Sequence, residues 1–416
     1  EGRRRGVAPV GRNQDIVVHT PRFGPLGRQS APRFPGGGNP TGDRRTDRRR
    51  RGFLGTHPVT RRVRLAFVTM TTAHHGEDWY ARRSRAVAER LAARGHDVTI
   101  VCQQWWGGDH ATFDFDGVTY RRVTADRSPR AFVTKLPFVL NSVRPDVIQV
   151  ASDPLLAVPA AKVAGRLRRT PVVAEWWTRP DREAGSSWRR HWAARSPDAV
   201  LVPSETVETT VRECGADPDT VAVIPEGVDL AGIRAASVDP RADIVYSSPL
   251  DDHANVEEFL LALAELRQRE WRAAVIGDGP VREAAERMAR DLRIDDRVEF
   301  LGALSPAEQV PILKGAHVFA QTATWAPFAT DLLRALACGC VGVVEYQADS
   351  AAHELVEADP RGSLVTSPQE LADEIVAAAE LEHWTVNEDY APYDHDAICS
   401  RYVDRYERLV ADYGLF

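Results

Sequence analysis

Short apolar runs alternate with amphipathic stretches along the chain from Arg64 onward. Arg64–Met70 is an apolar run typical of a buried strand, and Tyr80–Arg94 has apolar residues at helical spacing before Gly95 ends it. A second apolar run follows, and the order strand, helix, strand is that of a βαβ unit, which builds parallel sheets. The alternation continues through this half and predicts strands at Asp97–Cys102, Val147–Val150, Pro171–Ala174, Ala199–Val202 and Val221–Ile224, and a helix at Pro154–Arg168.

A second series of the same kind begins near Asp243. It predicts strands at Asp243–Tyr246, Ala273–Ile276, Val298–Leu301, His317–Ala320 and Val341–Glu345, and helices at Val256–Arg269, Arg282–Leu292, Pro306–Lys314, Asp331–Ala337 and Gln369–Glu380. Together the two series predict an α/β protein with two Rossmann-like, doubly wound domains and a C-terminal helix at Asp396–Tyr413. Ligands of such sheets usually bind in the crevice at the carboxyl ends of the strands. The pattern is also compatible with two unrelated Rossmann-like domains.

These elements divide the chain into four segments. Residues 63–235 form the N-terminal domain, 236–395 the C-terminal domain, and 396–416 a helix that we expect to pack back on the N-terminal domain. Residues 1–62 are rich in Arg, Gly and Pro without a hydrophobic period, which predicts a disordered tail. Its run Arg44–Arg51 is also typical of nucleic-acid binding, while the absence of methionine before Met70 favours a translation-start artefact.

The charge of the chain is unevenly distributed. Residues 1–64 hold sixteen Arg and four acidic residues, whereas the rest holds 37 basic and 55 acidic residues, with only three Lys. We interpret this acidic body as a halophile-like surface and expect no nucleic-acid partner for it. No run approaches the roughly 20 apolar residues that span a bilayer, and no leader is visible, so we expect a cytoplasmic protein. The five scattered cysteines show neither zinc nor redox spacing.

Several segments in order resemble those of family 4 glycosyltransferases, which are retaining enzymes of the GT-B fold. The resemblance covers nearly everything from Arg64 to Tyr413. A single match would carry little weight, but the ordered set is specific. The matching segments are Arg94–Val98 (RGHDV), Arg144–Ile148 (RPDVI), Val202–Glu205 (VPSE), Ile224–Asp229 (IPEGVD), Ile276–Pro280 (IGDGP), Val298–Gly302 (VEFLG) and Ala335–Gly339 (ALACG).

The resemblance implies that a nucleotide-sugar, UDP- or GDP-linked, lies between the domains and mostly on the C-terminal one. The nucleotide-sugar is then a substrate, and neither a cofactor nor a metal is expected. Glycine loops after strands suit this role, because their backbone amides can approach a diphosphate closely. The predicted donor-binding residues are Gly76, Gly277, Asp278, Gly279, Asn255, Phe328, Ala329 and Thr330.

The chain departs from the family where the family keeps its working charges. Two glutamates separated by seven residues are replaced by Ala326 and Arg334, and an Arg and a Lys after the first C-terminal strand are replaced by Pro249 and Ala254. Trp177 stands nearest to a family His. Because cationic groups stabilise a departing diphosphate, losing both would remove several kcal/mol, by analogy with roughly 2.7–4 kcal/mol for one oxyanion donor.

Two interpretations therefore remain. In the first, the chain is a divergent, active transferase with Asp331, Arg334 and Glu175 as candidate catalytic residues. In the second, it is a catalytically degenerate relative that binds a sugar, nucleotide or partner enzyme without turnover. A Rossmann-type oxidoreductase is disfavoured, because neither half has G-x-G-x-x-G after its first strand.

Tryptophans concentrate in the N-terminal half, mostly in loops after predicted strands. Aromatic faces stack on sugar rings and also suit membrane interfaces. We therefore expect a glycan or lipid-linked acceptor on this side, with a peripheral contact at the inner face of the membrane. The predicted acceptor-binding residues are His74, His75, Trp105, Trp106, Trp176 and Trp177.

Overall fold

A computed structural model describes residues 62–76, 79–177 and 187–414 of the chain. Apart from Arg62, the predicted tail lies outside the described residues. The described part contains two sheets with helices on both faces, so the predicted α/β class with two Rossmann-like domains is confirmed. Among these residues, no helix is both long and apolar enough to cross a membrane.

The N-terminal sheet has eight strands in the order β3-β4-β2-β1-β5-β6-β7-β8. All neighbours are parallel except β3 and β4, which form an antiparallel hairpin. The strands are β1 Arg64–Val68, β2 Asp97–Gln103, β3 Thr112–Phe115, β4 Val118–Thr124, β5 Val147–Ala151, β6 Val172–Glu175, β7 Ala199–Val202 and β8 Val221–Val223. The helices that pack on this sheet are α1 Trp79–Ala93, α2 Pro129–Val143, α3 Ala157–Arg168, α4 Ser187–Arg195 and α5 Glu205–Glu213. Helix α6 Leu230–Ala235 packs in the core of the C-terminal domain through Leu230 and Ile233.

The C-terminal sheet has six parallel strands in the order β11-β10-β9-β12-β14-β16, and a separate two-stranded pair is formed by β13 and β15. The strands are β9 Ile244–Ser247, β10 Ala273–Ile276, β11 Val298–Gly302, β12 Val318–Gln321, β13 Trp325–Ala326, β14 Val341–Glu345, β15 Asp349–Ser350 and β16 Gly362–Val365. The helices are α7 Val256–Glu265, α8 Arg282–Asp291, α9 Pro306–Gly315, α10 Thr330–Ala337, α11 His353–Val356, α12 Pro368–Ala378 and α13 His395–Asp412.

Two apolar layers cover the N-terminal sheet. One layer holds buried residues of α2 to α5, such as Leu136 and Val211, against Val150 and Val200 of the strands. The opposite layer is built by α1 and by α13, whose apolar stripe runs from Ile398 to Val410. The last helix of the chain therefore packs on the N-terminal sheet.

Among the described elements, the sequence pattern missed helices α2, α4 and α5 of the N-terminal domain, and helices α6 and α11 and strands β13, β15 and β16 of the C-terminal domain. Helix α2 carries Pro129 at its start and Pro137 in its interior, which weakens a pattern-based helix prediction although tertiary packing of Phe132, Leu136 and Leu140 holds it. Helices α4 and α5 have nine residues each, too short for a clear period. Strand β16 reads GSLV, an edge strand without alternation.

A buried ion pair fastens α13 to the N-terminal sheet. Arg83 of α1 binds Glu175 at the end of β6, and its guanidinium also lies 2.8 Å from Glu226 Oε2. Tyr402 of α13 accepts a hydrogen bond from Arg83 at 2.5 Å and donates one to Glu175 at 2.9 Å. Gln149 of β5 donates to the second oxygen of Glu175 at 2.8 Å. The Glu175 carboxylate of β6 is therefore bound by side chains from α1, α13 and β5.

The Arg83→Met substitution should lower the free energy of unfolding by about 3–5 kcal/mol, because it leaves the Glu175 carboxylate buried without a cation. Urea unfolding of the two proteins measures the difference. Arg94→Met is the matched control: Arg94, the residue after α1, also binds α13, through Asp396, but that carboxylate is 88% exposed. Its loss should cost at most about 1 kcal/mol. Equal losses of unfolding free energy in both variants would show that the buried Arg83–Glu175 ion pair contributes no more to stability than an exposed one.

Candidate active site

The two domains contact each other at the carboxyl ends of their strands. Ser204, two residues after the end of β7, donates a hydrogen bond to the carbonyl of Pro327 at 2.8 Å. Glu354 of α11 accepts from the backbone amides of Glu205 at 2.9 Å and Thr206 at 2.7 Å. A carboxylate of the C-terminal domain therefore caps the first turn of α5 in the N-terminal domain, where the helix dipole favours a negative charge.

The chain crosses between the domains twice, and the two crossings run side by side. The amide of Val228 donates to the carbonyl of Tyr393 at 2.9 Å, and the amide of His395 donates back to Val228 at 3.0 Å. The His395 ring packs against Gly227, where an added Cβ would lie 2.7 Å from Nδ1. The crossings hold the domains together at one end of the cleft.

A predicted donor loop, Gly277–Gly279, follows β10 at the carboxyl edge of its sheet. Both glycines have positive φ, of 139° and 155°, and a Cβ on either would lie within 2.3 Å of a carbonyl oxygen of Ser248 or Leu250. The glycines are thus required for contact with the neighbouring loop. The amide of Gly277 donates to Gly302, and that of Gly279 to the side chain of Asp278. These two amides are engaged within the protein, which departs from the diphosphate cradle expected of them.

Two of the predicted catalytic residues meet in the first turns of α10. Arg334 forms an ion pair with Asp331, and the same nitrogen donates to Gln309 of α9 at 2.5 Å. Ser247, the last residue of β9, donates to the other oxygen of Asp331 at 2.8 Å. The side chain of Asp331 keeps 29% of its surface exposed and that of Arg334 12%. This cluster lies at the edge of the sheet where ligands of doubly wound folds bind.

Asn255 lies at the start of α7 with a left-handed backbone, φ 50°. Its amide donates to the carbonyl of Thr322 at 3.1 Å and to Glu345 Oε2 at 3.2 Å. Burial raises the pKa of the Glu345 carboxyl, and the charge of Glu258 adds to that shift. Asn255 thus holds the loops after β12 and β14 together at the carboxyl edge.

The segment that contains the other predicted donor residues joins β13 to α10. Phe328 is half-buried in the core of the C-terminal domain, Ala329 is buried, and Thr330 begins α10. Ala326 accepts a hydrogen bond from the amide of Ala351. The carbonyl of Pro327, between them, is the group bound by Ser204, so this segment directly faces the N-terminal domain.

The acceptor-side prediction separates into two groups. His74 stacks on Trp105 with ring centroids 3.7 Å apart, and Trp106 packs edge-on against Trp105 at 5.8 Å. Phe113 and Phe115 of the β3–β4 hairpin complete this aromatic cluster and stay more than a third exposed. Burial lowers the pKa of His74, with Arg85 adding to the shift. The structure thus brings three predicted residues together in one cluster, but Trp106 is buried, so the exposed part of the cluster is formed mainly by Phe113 and Phe115.

For the second group, Trp176 and Trp177, the structure corrects the predicted role in acceptor binding. Trp176 and Trp177 are 1% and 2% exposed, so neither presents a face to an acceptor. Trp177 lies under the Arg83 guanidinium, whose Cζ is 3.8 Å from its ring centroid. Glu175, a predicted catalytic residue, is equally buried in the ion-pair network and does not reach the cleft. Buried Trp pairs of this kind are indistinguishable in sequence from exposed loop pairs.

The remaining predicted residues of the N-terminal domain lie in the loop after β1. Gly76 is exposed and would tolerate a Cβ without contact, so no close approach within the described part of the protein requires a glycine there. His75 Nδ1 lies 3.1 Å from the amide of Thr72. Burial lowers the pKa of His75. Its ring therefore supports the loop rather than facing outward.

Several residues of the cleft were not singled out from the sequence. Ser247, Gln309 and Glu354 are ordinary polar residues at element ends or on helices, and only the folded chain shows their partners. The sequence does indicate that Ser204 begins a helix, because Ser before an acidic residue is typical of a helix start. Nothing in the sequence indicates its contact with Pro327 across the cleft.

The crossing at His395 makes stability depend on pH. Burial, with the charge of Arg90 adding to it, lowers the pKa of His395 to about 4. Between pH 4 and its ordinary 6.5 the unfolded chain therefore binds more protons than the folded one, so this histidine makes stability rise with pH. When the pH falls from about 7 to about 4.5, the free energy of unfolding of both proteins should decrease. The decrease should be up to about 3 kcal/mol smaller in His395→Gln, which lacks the imidazole.

Chemical unfolding at both pH values measures this difference. His110→Gln is the control, because His110 is exposed and its side chain lies away from the crossings. It should follow the unsubstituted protein at both pH values. A His395→Gln protein with the same pH dependence as the control would show that the crossing does not disfavour the charged imidazole.

Two protein-family models match the chain. The one described as Glycosyltransferase Family 4 matches residues 81–231, and the one described as Glycosyl transferases group 1 matches residues 234–391. The crystal structure of Anabaena Alr3699/HepE in complex with UDP superimposes with a TM-score of 0.65 at 18% identity, over 83% of this chain and 100% of that one. At this identity the likeness shows the fold, which is GT-B.

Two curated relatives are similar over part of their length. A phosphatidylinositol N-acetylglucosaminyltransferase component of Arabidopsis thaliana is 31% identical over 150 residues, 35% of this chain and 34% of the relative. Alpha-monoglucosyldiacylglycerol synthase of Streptococcus pneumoniae is 23% identical over 212 residues, 46% of this chain and 47% of the relative. The matches thus span less than half of either relative.

Proposed function

Because the chain belongs to glycosyltransferase family 4, we propose that it transfers a hexose-type sugar from a nucleotide-sugar to a lipid-linked or glycan acceptor, with retention. The observation that carries the proposal is the placement of Asp331 and Arg334. Both lie at the carboxyl edge of the C-terminal sheet, on α10 just beyond the segment that faces the N-terminal domain. This is the crevice in which doubly wound domains bind their ligands.

The nature of the substrates is supported by similar proteins. The Anabaena structure holds UDP, which favours a uridine nucleotide as the donor base of this chain. One curated relative is named for the lipid phosphatidylinositol and the other for the synthesis of a glycolipid, monoglucosyldiacylglycerol, which favours a lipid acceptor. In the aromatic cluster around Trp105, Phe113 and Phe115 are more than a third exposed on the acceptor domain, and such aromatic faces stack on sugar rings.

In the proposed site Asp331 is the acidic group and Arg334 the cationic one. An arginine near the leaving diphosphate stabilises its developing charge, and it does so strongly in a cleft from which water is excluded. The ion pair between them holds both side chains in a fixed orientation before substrate binds. Ser247 and Gln309 each add a hydrogen bond that fixes one partner.

A second function is favoured by the same cluster. Arg334 is engaged by Asp331 and Gln309, and the positions where the family keeps its phosphate-binding cations are Pro249 and the buried Ala254. A nucleotide would then meet fewer free cations than the family provides. We therefore keep as the alternative a protein that binds a sugar or nucleotide without turnover.

Calorimetric titration with UDP-, GDP- and ADP-sugars, followed by a hydrolysis assay on any binder, separates the two functions. The transferase proposal predicts binding of a UDP-sugar and release of UDP, accelerated by added membrane lipid. Binding without any release of nucleotide, even with lipid present, would establish the alternative. Absence of binding to all three donors would refute both.

Asp331→Asn tests the proposed acidic group. An amide neither carries the charge nor accepts a proton, so turnover should fall at least about 100-fold, while affinity for the nucleotide-sugar changes less than about threefold. The measurement is the rate of UDP release at saturating donor. Asp349→Asn is the matched control, because Asp349 is exposed on β15 of the same domain, and it should retain full turnover. An active Asp331→Asn enzyme would move the chemistry elsewhere.

A further inference from the structure

Three neighbouring helices of the N-terminal domain form a basic layer. We give this name to α2, α3 and α4, which cover one face of the N-terminal sheet side by side. Their 36 residues include eight basic residues and no acidic one. The basic residues are Arg130, Lys135, Lys162, Arg166, Arg168, Arg189, Arg190 and Arg195. Six of them are exposed; Lys162, which binds Asp198, and Arg190 are half-buried.

The basic layer stands out against the charge of the rest of the molecule. Residues 65–416 hold 37 basic and 55 acidic residues, so a net charge of +8 on three helices opposes a body of the other sign. The next helix on the same face, α5, already carries Glu205, Glu208 and Glu213. On this face of the described domain, the positive charge is therefore concentrated on these three helices.

Large apolar side chains project from the same three helices. Phe138 of α2 is 78% exposed and Leu167 of α3 is 73% exposed. On α4, Trp188 and Trp192 are 55% and 52% exposed, one turn apart, with ring centroids 6.3 Å from each other. The buried side of α4 is provided instead by Ala193 and Ala194. Leaving two tryptophans in water while alanines fill the core indicates an outward-facing apolar function.

The combination identifies the chemistry of the partner. Arginine attracts any polyanion, but a nucleic-acid backbone offers no apolar phase for Phe138 and Leu167. A bilayer with anionic headgroups offers both, because tryptophan rings suit the headgroup level and each basic residue near the surface adds attraction. We propose that the basic layer docks the protein onto an anionic lipid membrane. The purpose of docking, access to a lipid acceptor, rests on the proposed function.

The geometry relates this surface to the cleft. Helix α4 follows β6, whose carboxyl end lies at the cleft edge of the sheet, and Trp188 lies in the first turn of α4. Arg195 ends α4 before β7 and Leu167 lies in the last turn of α3 before β6, so both lie toward the opposite edge. The docking face therefore runs along the side of the domain with its Trp188 end nearest the cleft. A lipid acceptor next to Trp188 would then lie beside the cleft edge of the acceptor domain.

Co-sedimentation of the full chain with vesicles tests the electrostatic part. The unsubstituted protein should bind vesicles of about 70% phosphatidylcholine and about 30% phosphatidylglycerol, and bind pure phosphatidylcholine vesicles weakly. The triple variant Arg166→Glu, Arg189→Glu, Arg195→Glu should lower the partition coefficient at least about tenfold. The control, Arg269→Glu, Arg287→Glu, Arg290→Glu, makes the same charge change at exposed arginines of the C-terminal domain and should stay within about twofold.

All variants keep the arginine-rich residues 1–61, so the contribution of that segment cancels in the comparison. Equal weakening in both triple variants, or none in the layer variant, would overturn the proposal. The double variant Trp188→Ser, Trp192→Ser tests the apolar part and should weaken binding several-fold, with Val238→Ser, Leu381→Ser as its control. An unchanged Trp variant would also overturn the proposal, since it would leave only non-specific charge attraction. Thermal unfolding confirms that each variant is folded.

Competition with a single-stranded RNA of about 30 nucleotides tests whether the basic layer binds nucleic acid instead of a membrane. If the layer variant loses affinity for RNA but not for vesicles, the surface binds nucleic acid and the proposal fails. Vesicle binding is measured without donor, and nucleotide-sugar binding is measured without vesicles. Failure of membrane docking is therefore distinguishable from failure of the proposed transferase function.

Discussion

The buried ion pair between Arg83 and Glu175 is the interaction on which the arrangement of this protein depends. A carboxylate at the end of a central strand is costly to bury unless a cation and hydrogen bonds compensate it. Here the cation comes from α1 and a hydroxyl comes from α13, while Glu226 of the first crossing contacts the same guanidinium. Satisfying one buried charge thereby joins the sheet, the end of the chain and the crossing between domains.

That junction also determines the shape of the cleft. Because α13 is held on the N-terminal sheet, the chain must cross back from the C-terminal domain, and the second crossing lies beside the first at Val228 and His395. With one end fixed in this way, the contacts of Ser204 and Glu354 close the domains over the carboxyl ends of both sheets. The pair of Asp331 and Arg334 lies at the carboxyl edge of the C-terminal sheet and is partly buried, where a charge interaction is stronger than in water.

Much of the fold could be predicted from sequence, because apolar periods and glycine stops are local signals. The strands Ala199–Val202, Ala273–Ile276 and Val341–Glu345 have the predicted bounds. The site was less accessible, since burial is a property of the whole fold. Nothing local distinguishes the core pair Trp176–Trp177 from the cluster pair Trp105–Trp106. The glycines of the Gly277 loop were expected to leave room for a ligand. In the structure they leave room for the backbone of Ser248 and Leu250.

The same junction explains why one face of the N-terminal domain is left for an outside partner. A doubly wound sheet has two faces to cover, and α13 occupies one of them together with α1. The opposite face is covered by helices of its own domain, and three of these carry the basic charge and the exposed Trp188 and Trp192. Had α13 packed on that face, its apolar stripe would have covered the sheet in place of those helices. Fixing the end of the chain on one side therefore determines which side can meet a membrane.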